Sequence, residues 1–360
     1  MKGDELMPAW ATTWSDRLQD FRRHLGILKH MSPSRAFNLA VNLTCAFFRT
    51  QKVPGFPYVL RLDPTNVCNF SCTLCPTGRK NYGRAPGMMP WNTYKMAVDQ
   101  LAPWVIRVWY YIWGEPLLHP DLPKMIAYAA KRDLSTNLSS NFSLMTPGLA
   151  KDLIDSGLEY IIASIDGADE ETYRQYRQGG NFQEVINNLK MFLEVRRKAK
   201  SGTPFVEFQC LMTAHTEKKV EAIKSFALGL GVDRVRFMPL AVPFFPYRGQ
   251  DISPYASWFP QNPESFRYQY EPGKPANSGP CFWLYEGLTL NPDGGVSPCC
   301  RSYFHQEDFG NILETPIRTI FNNEKFQTSR SLFSKFPRFD EAKNVCNGCK
   351  EFLQTPRGEK

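Results

Sequence analysis

The stretch Cys68-Asn69-Phe70-Ser71-Cys72-Thr73-Leu74-Cys75 follows directly on a strand-like run, Tyr58-Val59-Leu60-Arg61-Leu62, and sets three cysteines in a Cys-x3-Cys-x2-Cys loop. Soft thiolate sulfur suits iron, and an iron-sulfur cube usually takes four cysteines, so a tight loop supplying three leaves one iron open to an outside ligand. A structural zinc loop needs four ligands, and no fourth lies close in sequence.

From residue 58 onward, apolar strands alternate with amphipathic helices, the pattern that builds a parallel sheet with right-handed crossovers. Strands are expected near 58–63, 105–112, 134–138, 160–165, 205–213 and 235–239, with helices near 90–101, 121–132, 147–156, 182–199 and 217–230 between them. Six βα units make an incomplete barrel. In such sheets ligands gather at the carboxyl ends of the strands, where the cysteine loop leaves the first one.

Two further motifs fall at strand ends. Trp113-Gly114-Glu115-Pro116 follows the second strand. Glu115 offers an acceptor for an ammonium group, Gly114 allows close backbone approach and Pro116 stiffens the turn. The fourth strand ends Ala163-Ser164-Ile165-Asp166-Gly167, and Arg174 and Arg177 follow within the next dozen residues.

Together these residues resemble the radical SAM superfamily. The resemblance implies a [4Fe-4S] cluster on Cys68, Cys72 and Cys75, with S-adenosylmethionine bound at the open iron. It further implies that Gly114 and Glu115 hold the amino group of the methionyl moiety, that Ser164 contacts the ribose and that Arg177 pairs with the carboxylate. Two positions depart from the usual pattern: Leu74 stands where many members carry an aromatic residue, and Trp113 replaces a glycine.

A second module begins at Cys281 and runs through the turn Asn291-Pro292-Asp293-Gly294, the pair Cys299-Cys300, Gly310-Asn311 and a closing Cys346-Asn347-Gly348-Cys349. A hairpin at Asp293-Gly294 would bring Cys281 and Cys299 together, and the terminal pair could complete four thiolates; spacing alone allows zinc or iron-sulfur. The region resembles the SPASM extension of radical SAM enzymes in shortened form, which implies one auxiliary [4Fe-4S] cluster on Cys281, Cys299, Cys346 and Cys349. Cys300 is then spare. Cys300 and Cys210, on the fifth strand, are the candidate hydrogen-atom donors, against the commoner fate of a buried inert thiol.

The expected architecture is α/β: an N-terminal amphipathic helical segment (1–57), a partial (β/α)6 TIM-like barrel (58–240), a connecting segment (241–277) and a small SPASM-type iron-sulfur domain (278–360). The stretch 241–280 carries eight prolines and nine aromatics and is expected to line the substrate mouth. In the first segment, Trp14, Leu18, Phe21, Leu25 and Leu28 recur at helical steps, and a second helix is signalled by Ser32 and Pro33.

The net charge is +8, and residues 1–58 carry eight Lys/Arg against four Asp/Glu. With no nucleic-acid motif beside it, this excess points away from RNA or DNA. Residues 10–52 could instead pack across the barrel or touch a membrane surface. The ten cysteines cluster as metal sites do, which suits a reducing cytoplasm, and no apolar run approaches the roughly 20 residues that cross a bilayer. The protein is expected in the cytoplasm, with peripheral contact at the inner membrane face as a further expectation. The resemblance implies reductive cleavage of S-adenosylmethionine to a 5'-deoxyadenosyl radical, which takes a hydrogen atom from substrate, with an electron donor such as flavodoxin or ferredoxin. Peptide or natural-product maturation is the first expectation. A small-molecule, sugar or lipid-linked cell-surface precursor is the second, and a non-catalytic iron-sulfur scaffold the third.

Overall fold

In a computed structural model, residues 26–240, 253–262, 265, 280–334 and 342–349 are described. Six strands form the parallel sheet: β1 (Val59–Leu62), β2 (Arg107–Trp109), β3 (Ser135–Ser140), β4 (Tyr160–Ser164), β5 (Phe205–Met212) and β6 (Arg234–Pro239). The crossovers carry α2 (Trp91–Leu101), α3 (Leu122–Ala130), α4 (Pro147–Asp155), α5 (Glu170–Tyr176), α6 (Phe182–Lys198) and α7 (Val220–Gly229); α1 (Pro33–Phe48) precedes β1. Local chemistry starts several of them. Thr146 accepts from the Leu149 amide, Asp169 from Thr172 and Asn181 from Glu184, each filling an orphan donor of a helix first turn.

The sheet order is β6-β5-β4-β3-β2-β1-β7-β8-β9. The expected hairpin forms between β7 (Gly287–Leu290) and β8 (Gly295–Ser297), turning where Gly294 sits at φ +83, and β9 is Gly310–Asn311. The sequence did not announce that β7 pairs in parallel with β1, so that the C-terminal module extends the barrel sheet itself. Arg330, wholly buried on α8 (Glu324–Ser331), reinforces the join by donating to the carbonyls of Gln51, Leu284 and Phe321.

Ser32 caps α1 as expected, and the helix lies across the amino-terminal ends of the strands. Its inner face is polar at Arg35, Asn38 and Asn42 and apolar at Cys45 and Ala46, which join the core. Arg35 donates to the carbonyls of His30, Ala102, Arg132 and Asp133, while Asn38 and Asn42 bond to Phe56, just before β1, and Asn38 to Trp104, before β2. These side chains satisfy loop carbonyls that would otherwise be buried without partners. Of the first expected helix, residues 10–25 lie outside the described residues, and Ile27–His30 form a 3-10 turn.

His30 ties this segment to Asp133 and Glu159 at 2.9 Å each. Burial alone would lower the His30 pKa, but the two carboxylates outweigh it and raise it above 6.5. Burial likewise works to raise Glu159, yet His30 and Lys29 hold it down to about 2. The histidine contribution is therefore complete below pH 6.5 and fades as pH rises through its raised folded value; that of Glu159 is complete above 4.5 and fades as pH falls toward 2. His30→Gln should cost about 2 kcal/mol near pH 6 and distinctly less near pH 9. Thermal melts at both values check this, and a pH-independent cost would rule it out.

Candidate active site at the carboxyl edge of the barrel

The cysteine loop emerges from the carboxyl end of β1 and is pinned from the far side of the barrel: the amides of Ser71 and Thr73 donate to the carbonyls of Gln178 and Tyr176 at 2.8 and 3.4 Å. Gly78 presses on the loop so closely that a Cβ would meet the Cys72 amide nitrogen at 2.6 Å. Burial raises all three thiols, Cys68 and Cys72 to about 11, and each also feels another cysteine of the loop. Three buried thiols together resist ionisation, so a cation that displaces their protons is what such a nest suits.

Around them stand the other expected residues. Glu115 is buried, with its carboxylate accepting from the amides of Leu117 and Asn141 at 3.1 and 2.8 Å. Burial lifts its pKa, against the lowering effect of those amides. Arg177 is the more buried arginine, its side chain 14% exposed, whereas Arg174 is exposed and pairs loosely with Glu170 at 3.7 Å. The Arg177 guanidinium holds Asp166 at 2.6 Å and acts electrostatically on all three loop cysteines. Asp166 is itself in the left-handed region at φ 66 and accepts from the Leu211 amide. The Ser164 hydroxyl meets that of Ser139 on β3 at 3.0 Å.

Gly114 is the tightest position. A Cβ there would lie 1.8 Å from the Thr65 carbonyl oxygen and 3.0 Å from that of Val67. The turn is held by Asp63, a residue not singled out in the sequence, whose buried carboxylate accepts from the amides of Ile112, Trp113 and Gly114. Burial lifts Asp63 to about 6 despite those amides. Its only sequence signal is an acid one residue beyond a strand that opens a metal loop.

Tyr303 was missed as well. It is buried between the modules, its hydroxyl 3.3 Å from that of Thr77 and its ring 5.0 Å from Trp113. Arg84 makes a second bridge, to Asp293 and Asp308. Of the connecting segment, residues 253–262 and 265 are described; Trp258 packs with Leu74, Tyr176 and Leu240, and its carbonyl accepts from the Ala214 amide. Leu74 thus has aromatic company supplied from the connecting segment.

In the C-terminal module, burial pushes Cys299 up to about 12, with Cys300 and Cys349 adding to it; Cys346 is raised by burial and then by Cys299 and Cys349. These four thiols are neighbours. Cys281 heads the turn Trp283–Glu286 and packs on the same core. Cys210 is wholly buried, its thiol on the Leu211 carbonyl, so the fold gives it the surroundings of an inert core thiol. Zinc bonded to four sulfurs at 2.3 Å would set those sulfurs about 3.8 Å apart. Among the described residues, the group whose ligand atoms lie within 4.8 Å of one another is Asp293, His305 and Asp308, and the Arg84 guanidinium already occupies its carboxylates. No three cysteine sulfurs among the described residues lie that close together.

A cavity of about 470 Å³ lies at the opposite end, lined by the first residues of strands, among them Arg107, Ser135, Tyr160 and Arg234. Among the described residues no helix is long and apolar enough to cross a membrane.

Comparison with known proteins agrees with this geometry. The family model of the radical SAM superfamily matches residues 62–227, and that of an iron-sulfur cluster-binding domain, SPASM, matches residues 281–350. The AdoMet-dependent heme synthase of Methanosarcina barkeri is 25% identical over 342 residues, covering 84% of this chain and 94% of the relative. A tungsten-containing aldehyde ferredoxin oxidoreductase cofactor-modifying protein of Pyrococcus furiosus is 24% identical over 54% of each chain. In fold, the chain is similar to native anSMEcpe with bound AdoMet (TM-score 0.58, 17% identity, 74% of this chain and 81% of that one). It is likewise similar to Streptococcus suis SuiB bound to precursor peptide SuiA (TM-score 0.58, 14% identity, 76% and 66%). With both modules matched in the order in which the sheet joins them, the chain belongs to the radical SAM superfamily and is a radical-based enzyme with a C-terminal SPASM domain.

Proposed function

We propose that the enzyme matures a peptide or natural product by abstracting a hydrogen atom from it, with Cys68, Cys72 and Cys75 holding the radical SAM cluster and Cys281, Cys299, Cys346 and Cys349 the auxiliary one. When bound, the first cluster supplies the electron that cleaves S-adenosylmethionine to methionine and a 5'-deoxyadenosyl radical. Glu115 receives the ammonium group of the cosubstrate, Arg177 turns toward its carboxylate while Asp166 keeps the guanidinium in place, and the Ser164 hydroxyl meets the ribose. Gly114 lets the backbone come close, and Asp63 keeps the turn from shifting. Phe70, Tyr176 and Trp258 keep water from the loop, so that reacting groups meet in fixed orientation.

The observation that carries the substrate reading is the charge of the inner wall. Arg61 and Arg236 are buried within β1 and β6, and Arg107 and Arg234 at the amino-terminal ends of β2 and β6, with Glu207 and Glu286 as acidic partners on that wall. Basic side chains outnumber acidic ones in this group, and that positive balance favours a substrate bearing carboxylate or another anionic group. A small-molecule substrate is the second reading, supported by the full-length match to a protein named as a heme synthase. A low-potential donor such as flavodoxin or ferredoxin would deliver the electron. Cys300 is the remaining candidate donor of a hydrogen atom, and peripheral contact with the inner face of a membrane through the N-terminal region belongs to the same reading.

Anaerobic reconstitution should yield about eight irons per chain, two cubes. Under reducing conditions the protein should then form 5'-deoxyadenosine and methionine in equal amounts, faster with acidic peptides or small acids than with their amides. Four irons would remove the auxiliary cluster, and indifference to the acidic group would remove the substrate class.

A further inference from the structure

We propose that the outward face of α1 docks on an anionic lipid bilayer, holding the enzyme with its cysteine loop turned away from the membrane. The proposal rests on the reading of the N-terminal region as a peripheral contact and names the face, the lipid class and the orientation.

Ordinary surface helices bury their apolar side. In α1 the large apolar side chains lie on the outside, although Cys45 and Ala46 are buried. Arg35, Asn38 and Asn42 face the barrel and are buried, whereas Phe37 is 70% exposed, Leu43 40%, Phe47 76% and Phe48 61%. At helical steps these four residues, with Ala40 and Thr44 between them, make one stripe that carries no charged side chain. The inversion has a cause on the inner side: loop carbonyls before β1, β2 and β3 need donors, and Arg35, Asn38 and Asn42 supply them. Nothing comparable requires three phenylalanines outside.

Charge and size indicate what covers the stripe. From Gly26 to Tyr58 the sequence holds no acidic residue, and beyond the buried Arg35 and the Glu159-paired Lys29 it offers Arg49 and Lys52 as basic groups. The acids near its amino-terminal end, Asp133 and Glu159, are already paired with His30, Arg35 and Lys29. A helix of 16 residues is about 24 Å long, so one face about 10 Å wide offers a few hundred Å². That is well short of the roughly 800 Å² per partner of a stable protein dimer. It is ample for an interfacial helix, which needs only a strip of aromatic and aliphatic side chains beside basic groups that attract anionic headgroups. The inner face of α1 is bonded to the amino-terminal edge of the barrel, and Cys68, Cys72 and Cys75 lie at the carboxyl edge. Docked this way, the active site opens to the aqueous side, which favours a dissolved substrate over one buried in lipid.

Flotation of the full-length reconstituted protein with phosphatidylglycerol-containing vesicles and with pure phosphatidylcholine vesicles tests this, alongside the double variant Phe37→Glu/Phe47→Glu. The wild type should float with the anionic vesicles and less with the neutral ones. The variant should lose at least about tenfold in bound fraction while still forming 5'-deoxyadenosine. That last readout separates failure here from failure of the radical reading. Four outcomes overturn the proposal: no flotation of the wild type, equal flotation of wild type and variant, a lipid-free dimer that the double variant dissociates, or flotation only after residues 1–25 are removed. The third would assign the face to a second copy, and the fourth would mean that the chain covers it.

Discussion

Replacing any one of Cys68, Cys72 or Cys75 by alanine is expected to abolish formation of 5'-deoxyadenosine, a loss of at least about 10³-fold, while the chain stays folded. Two thiols on a loop cannot hold a cube that already uses only three, so iron should fall from about eight to about four per chain as the auxiliary site remains. Folding should survive because the loop is pinned independently of its sulfurs, by the amides of Ser71 and Thr73 on the segment 176–178. The Cys72 thiol is buried, and its removal leaves a space smaller than one missing isopropyl group, costing about 1 kcal/mol. Iron and sulfide analysis with product quantitation decides the matter. Retention of eight irons, or of turnover, in a single variant would show that the ligands lie elsewhere.

Gly114→Ala should be the most damaging small substitution in the barrel. The added carbon would sit 1.8 Å from the Thr65 carbonyl oxygen, and that atom belongs to backbone rather than to a side chain that could swing aside. Either the turn retreats or the segment 65–67 does. In both cases the amides of residues 112–114 leave the Asp63 carboxylate, the Glu115 amide leaves the Val67 carbonyl, and the Glu115 carboxylate no longer stands where an ammonium group could meet it. We expect affinity for S-adenosylmethionine to fall by at least about 100-fold and stability by about 3 kcal/mol. Gly87→Ala is the control, since a Cβ there meets nothing within 4 Å. Calorimetric titration and thermal melts of the two variants compare them, and a Gly114 variant as benign as its control would refute the close-approach argument.

The parallel barrel was readable because strand and helix periods differ, and all six strands lie where the alternation placed them. The three-cysteine loop and the glycine-glutamate turn were legible for a similar reason: each is a short local pattern set by residue type and spacing. Choosing Arg177 over Arg174 was not so local, since the two differ in burial by virtue of where α5 ends. Asp63 and Tyr303 carry no pattern at all, because their partners at residues 112–114 and at Thr77 and Trp113 are remote in sequence.

What the chain determines by itself is a set of candidate ligands and the order of its modules, since thiolate chemistry and hydrophobic period are properties of neighbouring residues. Only the tertiary structure could decide that β7 continues the barrel at β1, that Asp63 holds the turn beside the cysteines, and that α1 turns its polar side inward. Each of these is settled by which distant backbone groups lack a partner once the sheet has formed, and no local stretch of sequence contains that information.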